Sequence, residues 1–377
     1  MWQHIVFEQE KDWRDDDVEA LIEYLQRSAG APLSIIMDIY SVCNPTLPTL
    51  WVVVFSEAHR WRTARLELPS VERTPIPFAD VLDLPELEQA GLKVTIPQLS
   101  VRPIDLEGNP LRWLTNAPKL RRLSLAWPFI PSVVHVGWGR LTHLKLELRE
   151  SLRECVTVLP QCATLEYLEV SVYEVQWGEA IPVAEVPTLQ TLVLKNDAVV
   201  LCRYIHVPQL TRLAFCPNQF LPLDRCHALV MLGRRQSLRN LQYLYLRHSL
   251  FEWSRIDPML EHLSGLTHLH ITHSPARLFR GTPPRLCCIG KMHALRTLSI
   301  YATEAEWFHR HQLPDLPELL EGEIEKLSNL ETLALWRRPK PGVEPELDEW
   351  INVQSERGIK VERNSGWPPF PDEMDGW

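Results

Sequence analysis

A short leucine motif, L-x-x-L-x-L, recurs along this chain and constrains its fold more than any other feature. With Ile, Val or Phe accepted at the last position, nine copies begin at Leu120, Leu141, Leu165, Leu189, Leu210, Leu241, Leu266, Leu295 and Leu330. Successive copies begin 21, 24, 24, 21, 31, 25, 29 and 35 residues apart. Chance clustering of leucine would not keep the same internal spacing nine times, so the motif marks a structural repeat.

The leucine motif has the pattern of a strand that must stack on copies of itself. Alternate residues of a strand face the same way, so the second and third apolar positions point into a core and the residues between them point out. One strand cannot bury that pair, but stacked neighbours can. Apolar repeats of about 20–29 residues with this pattern are typical of leucine-rich repeats. We therefore predict an α/β leucine-rich-repeat solenoid (a horseshoe) with a parallel sheet on its concave face and helices or irregular segments on its convex face.

The segments between motifs divide into helical and extended types. Apolar spacing and Asp-Pro start signals predict helices over residues 151–159, 223–238, 257–263 and 318–327. Residues 182–187 are rich in proline and are expected to be extended.

The two ends of the chain depart from the repeat. At the N-terminal end we expect a helix over residues 18–27 ended by Gly30, a strand from Leu33, an apolar helix over 45–60, and a strand over 61–68 that resembles a degenerate first repeat. The register of residues 71–110 cannot be assigned from the pattern. Its expected core residues are Leu84, Leu87, Leu92, Val94, Leu99 and Val101.

At the C-terminal end, a helix over residues 344–355 is expected to stop at Gly358 and to precede a strand over 359–361. The predicted organisation is an N-terminal helix and strand region with degenerate first repeats over 1–110, capping the solenoid, and leucine-rich repeats over 111–363. A disordered tail rich in proline and acid is expected over 364–377.

Composition excludes several classes of function. The net charge is −9, with no long basic run, which argues against nucleic acid as the main partner, although a local basic strip could still exist. No window approaches about 18 uncharged apolar residues, and the first 30 residues include the acidic run Asp15, Asp16 and Asp17, so we expect neither a membrane span nor a secretory signal. The expected location is the cytoplasm or nucleus, with the eight cysteines reduced.

The sequence shows no catalytic motif. Phosphate-loop, dinucleotide-binding, nucleophile-elbow and zinc-protease patterns are all missing, so we expect neither an enzyme nor a bound cofactor. Two groupings invite a metal hypothesis, which we weigh against ordinary structural roles and do not favour. They are the histidines His268, His270 and His273, and the set Cys202, His206, Cys216, Cys226 and His227.

The repeat register places the outward residues in columns. The central column is Ser124, Lys145, Glu169, Val193, Ala214, Tyr245, His270, Ser299 and Ala334. One flanking column is Arg122, His143, Tyr167, Thr191, Arg212, Tyr243, His268, Thr297 and Thr332. The other is Ala126, Glu147, Ser171, Lys195, Cys216, Arg247, Thr272, Tyr301 and Trp336.

The later strands collect the residue types that dominate binding hot spots. The candidate partner-binding residues are Tyr243, Tyr245, Arg247, His268, His270, Tyr301 and Trp336. The alternative interpretation is that these aromatic side chains only pair across strands and stabilise the sheet.

Three features in order resemble the F-box and leucine-rich-repeat proteins of mushroom-forming fungi. They are the segment LIEYLQRSAGAPLSI over residues 21–35, the step His59-Arg60-Trp61-Arg62 ahead of a strand, and irregular repeats such as Pro187-Thr188-Leu189 and Pro208-Gln209-Leu210. The resemblance covers residues 2–361 and corresponds to the region that follows the F-box, so we expect the F-box itself to be missing.

The resemblance implies a function. In that family the F-box docks to an adaptor of the SCF ubiquitin ligase, and the repeats recruit a substrate protein. For this chain it implies a monomeric interaction scaffold with an unknown protein ligand on its concave face, and an SCF adaptor as partner only if an F-box precedes it. The alternatives are an F-box-less repeat scaffold without a ligase role and a leucine-rich-repeat regulator of a GTPase.

Overall fold

The computed structural model describes most strands of the chain and the turns that lead into them. The described residues are 4–7, 14–28, 30–38, 47–68, 82–94, 112–126, 131, 134–149, 152–173, 181–216, 228, 231–232, 238–246, 263–273, 289–302, 324–336 and 345–364. The chain divides into two compact units, Met1–Gly178 (unit 1) and Glu179–Trp377 (unit 2).

Unit 1 is a parallel sheet in which each strand pairs with the next one along the chain. Its strands are β1 (His4–Phe7), β2 (Leu33–Asp38), β3 (Trp61–Leu68), β4 (Gln89–Val94), β5 (Arg122–Ala126), β6 (His143–Leu148) and β7 (Tyr167–Val172). Its helices are α1 (Asp15–Arg27), α2 (Leu47–Ser56) and α3 (Leu152–Val158).

Unit 2 repeats the arrangement. Its main strands, in pairing order, are β9 (Thr191–Asn196), β11 (Arg212–Cys216), β12 (Tyr243–Leu246), β13 (His268–His273), β14 (Thr297–Ala302), β15 (Thr332–Trp336) and β16 (Lys360–Asn364). The short strands β8 (Ala184–Glu185) and β10 (Ile205–His206) pair separately, and helix α4 (Pro345–Glu356) precedes β16. Both units are therefore mixed α/β structures built on a parallel sheet.

All nine strands predicted from the leucine motif are confirmed. Each motif has its first leucine just before a strand and its second and third apolar residues inside that strand, on a buried face that we call the leucine face. The other face of each strand, which carries the predicted outward columns, is called the opposite face below.

A tight turn precedes each of the nine strands. The backbone N–H of the first leucine donates to the carbonyl three residues earlier, with N···O distances of 2.9 to 3.3 Å. The accepting residue is buried and apolar in every case: Ala117, Trp138, Cys162, Val186, Val207, Leu238, Leu263, Met292 and Leu327. The full repeat is thus one apolar position longer than the motif read from the sequence.

Two earlier strands follow the same pattern with alanine in place of leucine. The turn from Leu84 to Leu87 leads into β4, where Ala90 and Leu92 are buried in register with Leu123 and Leu125 of β5. The turn from Ala58 to Trp61 leads into β3 in the same way. The strand expected from Leu33 is β2, and β1 and β2 pair in parallel ahead of β3, the strand predicted as a degenerate first repeat.

Most predicted local elements are confirmed. The helix over 18–27 is α1, although Ile22 is 38% exposed because it lies at the edge of the apolar stripe. The expected single helix over 45–60 is instead α2 followed by a 3-10 turn at Ala58–Arg60. The helices over 151–159 and 344–355 correspond to α3 and α4, and the extended segment 182–187 contains β8. Gly358, expected to stop the last helix, follows α4 with a φ of +85°.

Other expectations lie wholly or mainly outside the described residues. They are the helices over 223–238, 257–263 and 318–327, of which the last overlaps a described 3-10 turn at Ile324–Lys326, the core residues Leu99 and Val101, and the tail after Asn364. None of the helices in the described part of the chain is long and apolar enough to cross a membrane.

Candidate functional site

The predicted columns on the opposite face are confirmed by the strand register of unit 2. Val193, Ala214, Tyr245, His270, Ser299 and Ala334 lie side by side on consecutive strands, from β9 to β15. The flanking column Thr191, Arg212, Tyr243, His268, Thr297 and Thr332 lies in register beside it.

Four of the seven candidate binding residues come together on two adjacent strands. Tyr243 and Tyr245 of β12 are paired in register with His268 and His270 of β13. Tyr301 and Trp336 are aligned with each other on β14 and β15, where only their backbone is described, and Arg247 lies outside the described residues.

The four rings form two parallel stacks. The ring centroids of Tyr243 and His268 are 4.2 Å apart with planes inclined by 15°, and those of Tyr245 and His270 are 4.4 Å apart with planes inclined by 2°. Stacks of this kind stabilise a sheet by about 0.5–1.5 kcal/mol beyond the area they bury. They also hold the rings rigid, so a partner that binds them does not have to order them first. We call these four residues the Tyr-His stack.

An arginine that was not among the candidates completes this surface. Arg212 of β11 places its guanidinium carbon 5.1 Å from the centroid of the Tyr243 ring, which is the geometry of a cation–π contact. Its place in the flanking column, next to Tyr243, was the sequence signal that could have identified it. Tyr243 remains 38% exposed, so the ring is accessible from solvent at this corner.

Both histidines of the stack are held in the neutral form. Burial lowers the pKa of His270 to about 4, and its Nε2 is enclosed without a hydrogen-bond partner in the described structure. Burial also lowers the pKa of His268, with smaller contributions from the nearby positive charges of Arg296 and Arg212. The Nδ1 of His268 lies 2.9 Å from the Thr267 hydroxyl. At neutral pH the Tyr-His stack is therefore uncharged.

Not all positions of the opposite face are exposed as predicted. In unit 2, Val193, Ala214, Cys216 and Ala334 are buried, at 0 to 5% exposure. Ala214 is adjacent to the much larger Tyr245 on the next strand, so its methyl group lies below the surface. Alternation of residues decides which face a side chain joins, but the size of its neighbours decides whether solvent reaches it.

The opposite face of unit 1 is closed by its own polar contacts at β7. Glu169 is 2% exposed, and it accepts hydrogen bonds from Lys145 Nζ at 2.9 Å and from the Tyr167 hydroxyl at 3.0 Å. The Tyr167 ring stacks on His143 at a centroid distance of 5.6 Å. Glu169 and Tyr167 were expected to point outward to solvent. They are instead buried within a satisfied ion-pair network.

The metal hypothesis gains no ligand set from the described residues. Within them, no group of three or more His, Cys, Asp or Glu side chains is placed to hold a metal ion. Cys202 is buried as expected, whereas Cys216, expected to point outward, is buried as well. Cys226 and His227 lie outside the described residues, and nothing is described of the His273 side chain.

Two cysteines of unit 1 are poor candidates for nucleophiles. Burial raises the pKa of Cys155, with a smaller contribution from Cys162, and burial raises the pKa of Cys162 to about 12. Both thiols are therefore protonated at neutral pH, and the thiolate is the reactive form.

Comparisons with known proteins give no family. No family model matches the chain, and no curated protein matches it. The chain is similar to a crystal structure of a protein from Bacteroides fragilis, over 96% of this chain and 76% of that one, at 11% identity and a TM-score of 0.31. A likeness at this level carries no argument about fold or function.

Proposed function

We propose that this chain is a leucine-rich-repeat solenoid that acts as a protein-interaction scaffold and binds its partner through the opposite face of β11–β15. Three observations support the repeat assignment. The nine leucine motifs each occupy a strand, a turn of one kind precedes each of these strands, and the strands pair in parallel in the order of the chain within each unit.

The Tyr-His stack is the observation that carries the binding proposal. Tyrosine, histidine and arginine side chains are concentrated there in rigid, partly exposed positions, and tyrosine and arginine are enriched among residues that dominate interface energies. If these rings only stabilised the sheet, stacking would account for their alignment. That interpretation does not account for the exposure of Tyr243 or for the Arg212 guanidinium beside its ring.

The resemblance to fungal F-box and leucine-rich-repeat proteins gives the proposal a cellular context. In that context the scaffold would act as the substrate-recognition part of an SCF ubiquitin ligase, with an F-box supplying the contact to the ligase adaptor. The F-box-less scaffold and the GTPase regulator remain the alternatives. Capture of the ligase adaptor with the full gene product supports the first role, and its absence favours the F-box-less scaffold.

The binding proposal is tested by quantitative affinity capture from the native cell. The triple variant Tyr243→Ala, Tyr245→Ala, His268→Ala is compared with wild type and with Tyr173→Ala, a control that removes an exposed tyrosine from unit 1. We expect the triple variant to lose most of a captured partner, by about tenfold or more, while the control retains it. Equal recovery of every partner by the triple variant and wild type would falsify the proposal.

A further inference from the structure

An open groove crosses the N-terminal ends of the first five strands of unit 1. Its volume is about 730 Å³. Its floor is a continuous row in register: His4, Ser34, Thr63, Gln89 and Arg122, one from each of β1 to β5. Because neighbouring strands lie about 4.8 Å apart, this row extends roughly 19 Å across the sheet.

The groove is basic although the chain is acidic. Among the described residues that line it, Arg62, Lys119, Arg121 and Arg122 are basic and Glu88 alone is acidic. The whole chain has a net charge of −9. This local excess of cations therefore makes the groove attractive to anions, although the chain as a whole carries a negative net charge.

Arg62 and Lys119 of the groove each form an ion pair with a carboxylate of the chain itself. Arg62 Nε lies 3.0 Å from Glu88 Oε2, and Lys119 Nζ lies 2.7 Å from an oxygen of Glu86. The two basic and two acidic side chains of these pairs are each roughly half exposed. Exposed ion pairs of this kind contribute only about 0–1 kcal/mol to stability. The groove cations are therefore placed to bind a carboxylate, and an external carboxylate has only weak pairs with Glu88 and Glu86 to displace.

Arg121 has donors to spare. In the described part of the chain its guanidinium donates only to the Leu120 carbonyl, at 3.3 Å, and its side chain is exposed. A guanidinium carries five N–H donors in a planar fork that matches a carboxylate. The floor adds neutral hydrogen-bonding groups, from the hydroxyls of Ser34 and Thr63 to the amide of Gln89.

From these features we propose that the groove binds an extended acidic peptide segment of a partner protein, lying across the N-terminal ends of β1–β5. The cations of β3 and β5 are two strands, or about 10 Å, apart. An extended peptide advances about 3.3 Å per residue, so carboxylates about two to four residues apart reach both positions. This site lies in unit 1 and shares no residue with the Tyr-His stack of unit 2, so the two binding proposals are tested independently.

A short acidic segment suits the groove better than a nucleic acid does. Nucleic acid binding depends on many phosphates neutralised along an extended path. The groove concentrates its four cations near β3–β5, and acidic residues stand beside two of them.

Fluorescence anisotropy with a labelled peptide of about eight residues tests the proposal. The peptide carries several glutamates, and a second peptide has glutamine at the same positions. We expect saturable binding of the acidic peptide that weakens as salt is raised, and no binding of the glutamine peptide. Arg121→Glu combined with Arg122→Glu should weaken binding by about tenfold or more, whereas Arg112→Glu combined with Arg140→Glu, the same charge change at exposed arginines outside the groove, should not.

A gain of binding separates recognition from loss of folding. Glu88→Gln removes the carboxylate that competes for Arg62 and should tighten binding of the acidic peptide about two- to fivefold, a result that an unfolded variant cannot give. The proposal is overturned if the acidic peptide does not bind wild type, if both arginine pairs weaken binding equally, or if Glu88→Gln leaves affinity unchanged. Tighter binding of a single-stranded oligonucleotide to the same arginines would overturn the choice of occupant.

Discussion

Arg60 shows how one residue can organise the N-terminal end of the sheet. Its side chain is 7% exposed and donates to the Ser28 hydroxyl at 2.6 Å, to Glu57 Oε2 at 2.7 Å and to the Ala31 carbonyl at 3.1 Å. These contacts tie the end of α1 and the loop after it to the residue that precedes Trp61. The guanidinium also donates to the Leu25 carbonyl at 3.4 Å, and its five N–H donors in a planar fork reach these four acceptors from one position, which the three donors of a lysine could not do. In the sequence, Arg60 stood out only as part of a resemblance.

His270 makes the stability of unit 2 depend on pH. Burial lowers its pKa to about 4 in the folded chain, whereas an exposed histidine in the unfolded chain has a pKa near about 6.5. Between these two values the unfolded chain binds more protons than the folded chain. The contribution of His270 to stability is therefore fully present above about pH 6.5 and is lost as the pH falls toward 4.

We predict that His270→Gln weakens the loss of stability on acidification. The free energy of unfolding of wild type should fall between pH 7 and pH 4.5 by about 2 kcal/mol more than that of the variant, because the variant lacks the titrating ring. Urea denaturation at both pH values measures the difference, and carboxylates that titrate in both proteins cancel. His135→Gln, at an exposed histidine, is the control and should behave as wild type. A pH dependence in His270→Gln equal to that of wild type would show that burial of this ring is not the cause.

At the scale of the element, the leucine motif located those strands that kept leucine. The spacing of leucines located β5, β6, β7, β9 and β11 to β15 because period-two burial and a fixed turn both act on that motif. It missed β4 because Ala90 stands where other strands carry leucine, and an alanine is not distinctive in a sequence. The turn from Leu84 to Leu87, an apolar pair three residues apart, was the remaining signal.

The end of α4 depends on a glycine for a backbone reason alone. Gly358 has a φ of +85°, and a Cβ added there would meet no atom within 4 Å. Gly358→Ala should therefore cost about 1 kcal/mol in the free energy of unfolding, from the left-handed conformation and not from a clash. Gly137→Ala is the matched control, since Gly137 has a φ of −73° and an added methyl group would meet the Arg140 side chain at 3.7 Å, an ordinary van der Waals distance. We expect its urea midpoint to stay equal to wild type or rise slightly, and an equal loss at both glycines would contradict the argument.

At the scale of the whole molecule, the sequence predicted which residues align on neighbouring strands better than which of them are exposed to solvent. The register brought Tyr243 beside His268 as expected, because the motif aligns each strand with the next. It could not show that Glu169 and Val193 are buried, since burial depends on the size and charge of neighbours one and two strands away. Arg212 was missed although its column position was visible, because its contribution to this surface comes from its contact with the Tyr243 ring on the next strand.

Strand pairing that follows the order of the chain makes stability local within each unit. A strand touches mainly the strands before and after it, so a defect in one repeat should weaken its neighbours most. Leu144→Ala empties a fully buried position in β6 and should cost about 2–5 kcal/mol. Native-state hydrogen exchange of this variant should show lost protection in β5, β6 and β7 and a smaller loss in β2 and β3.

Leu298→Ala in β14 is the reciprocal case, with the largest loss of protection expected in β13 to β15 and a smaller one in β9 and β11. An even loss of protection across all strands of the mutated unit would mean that the unit unfolds as one cooperative body, against the nearest-neighbour behaviour that its topology implies.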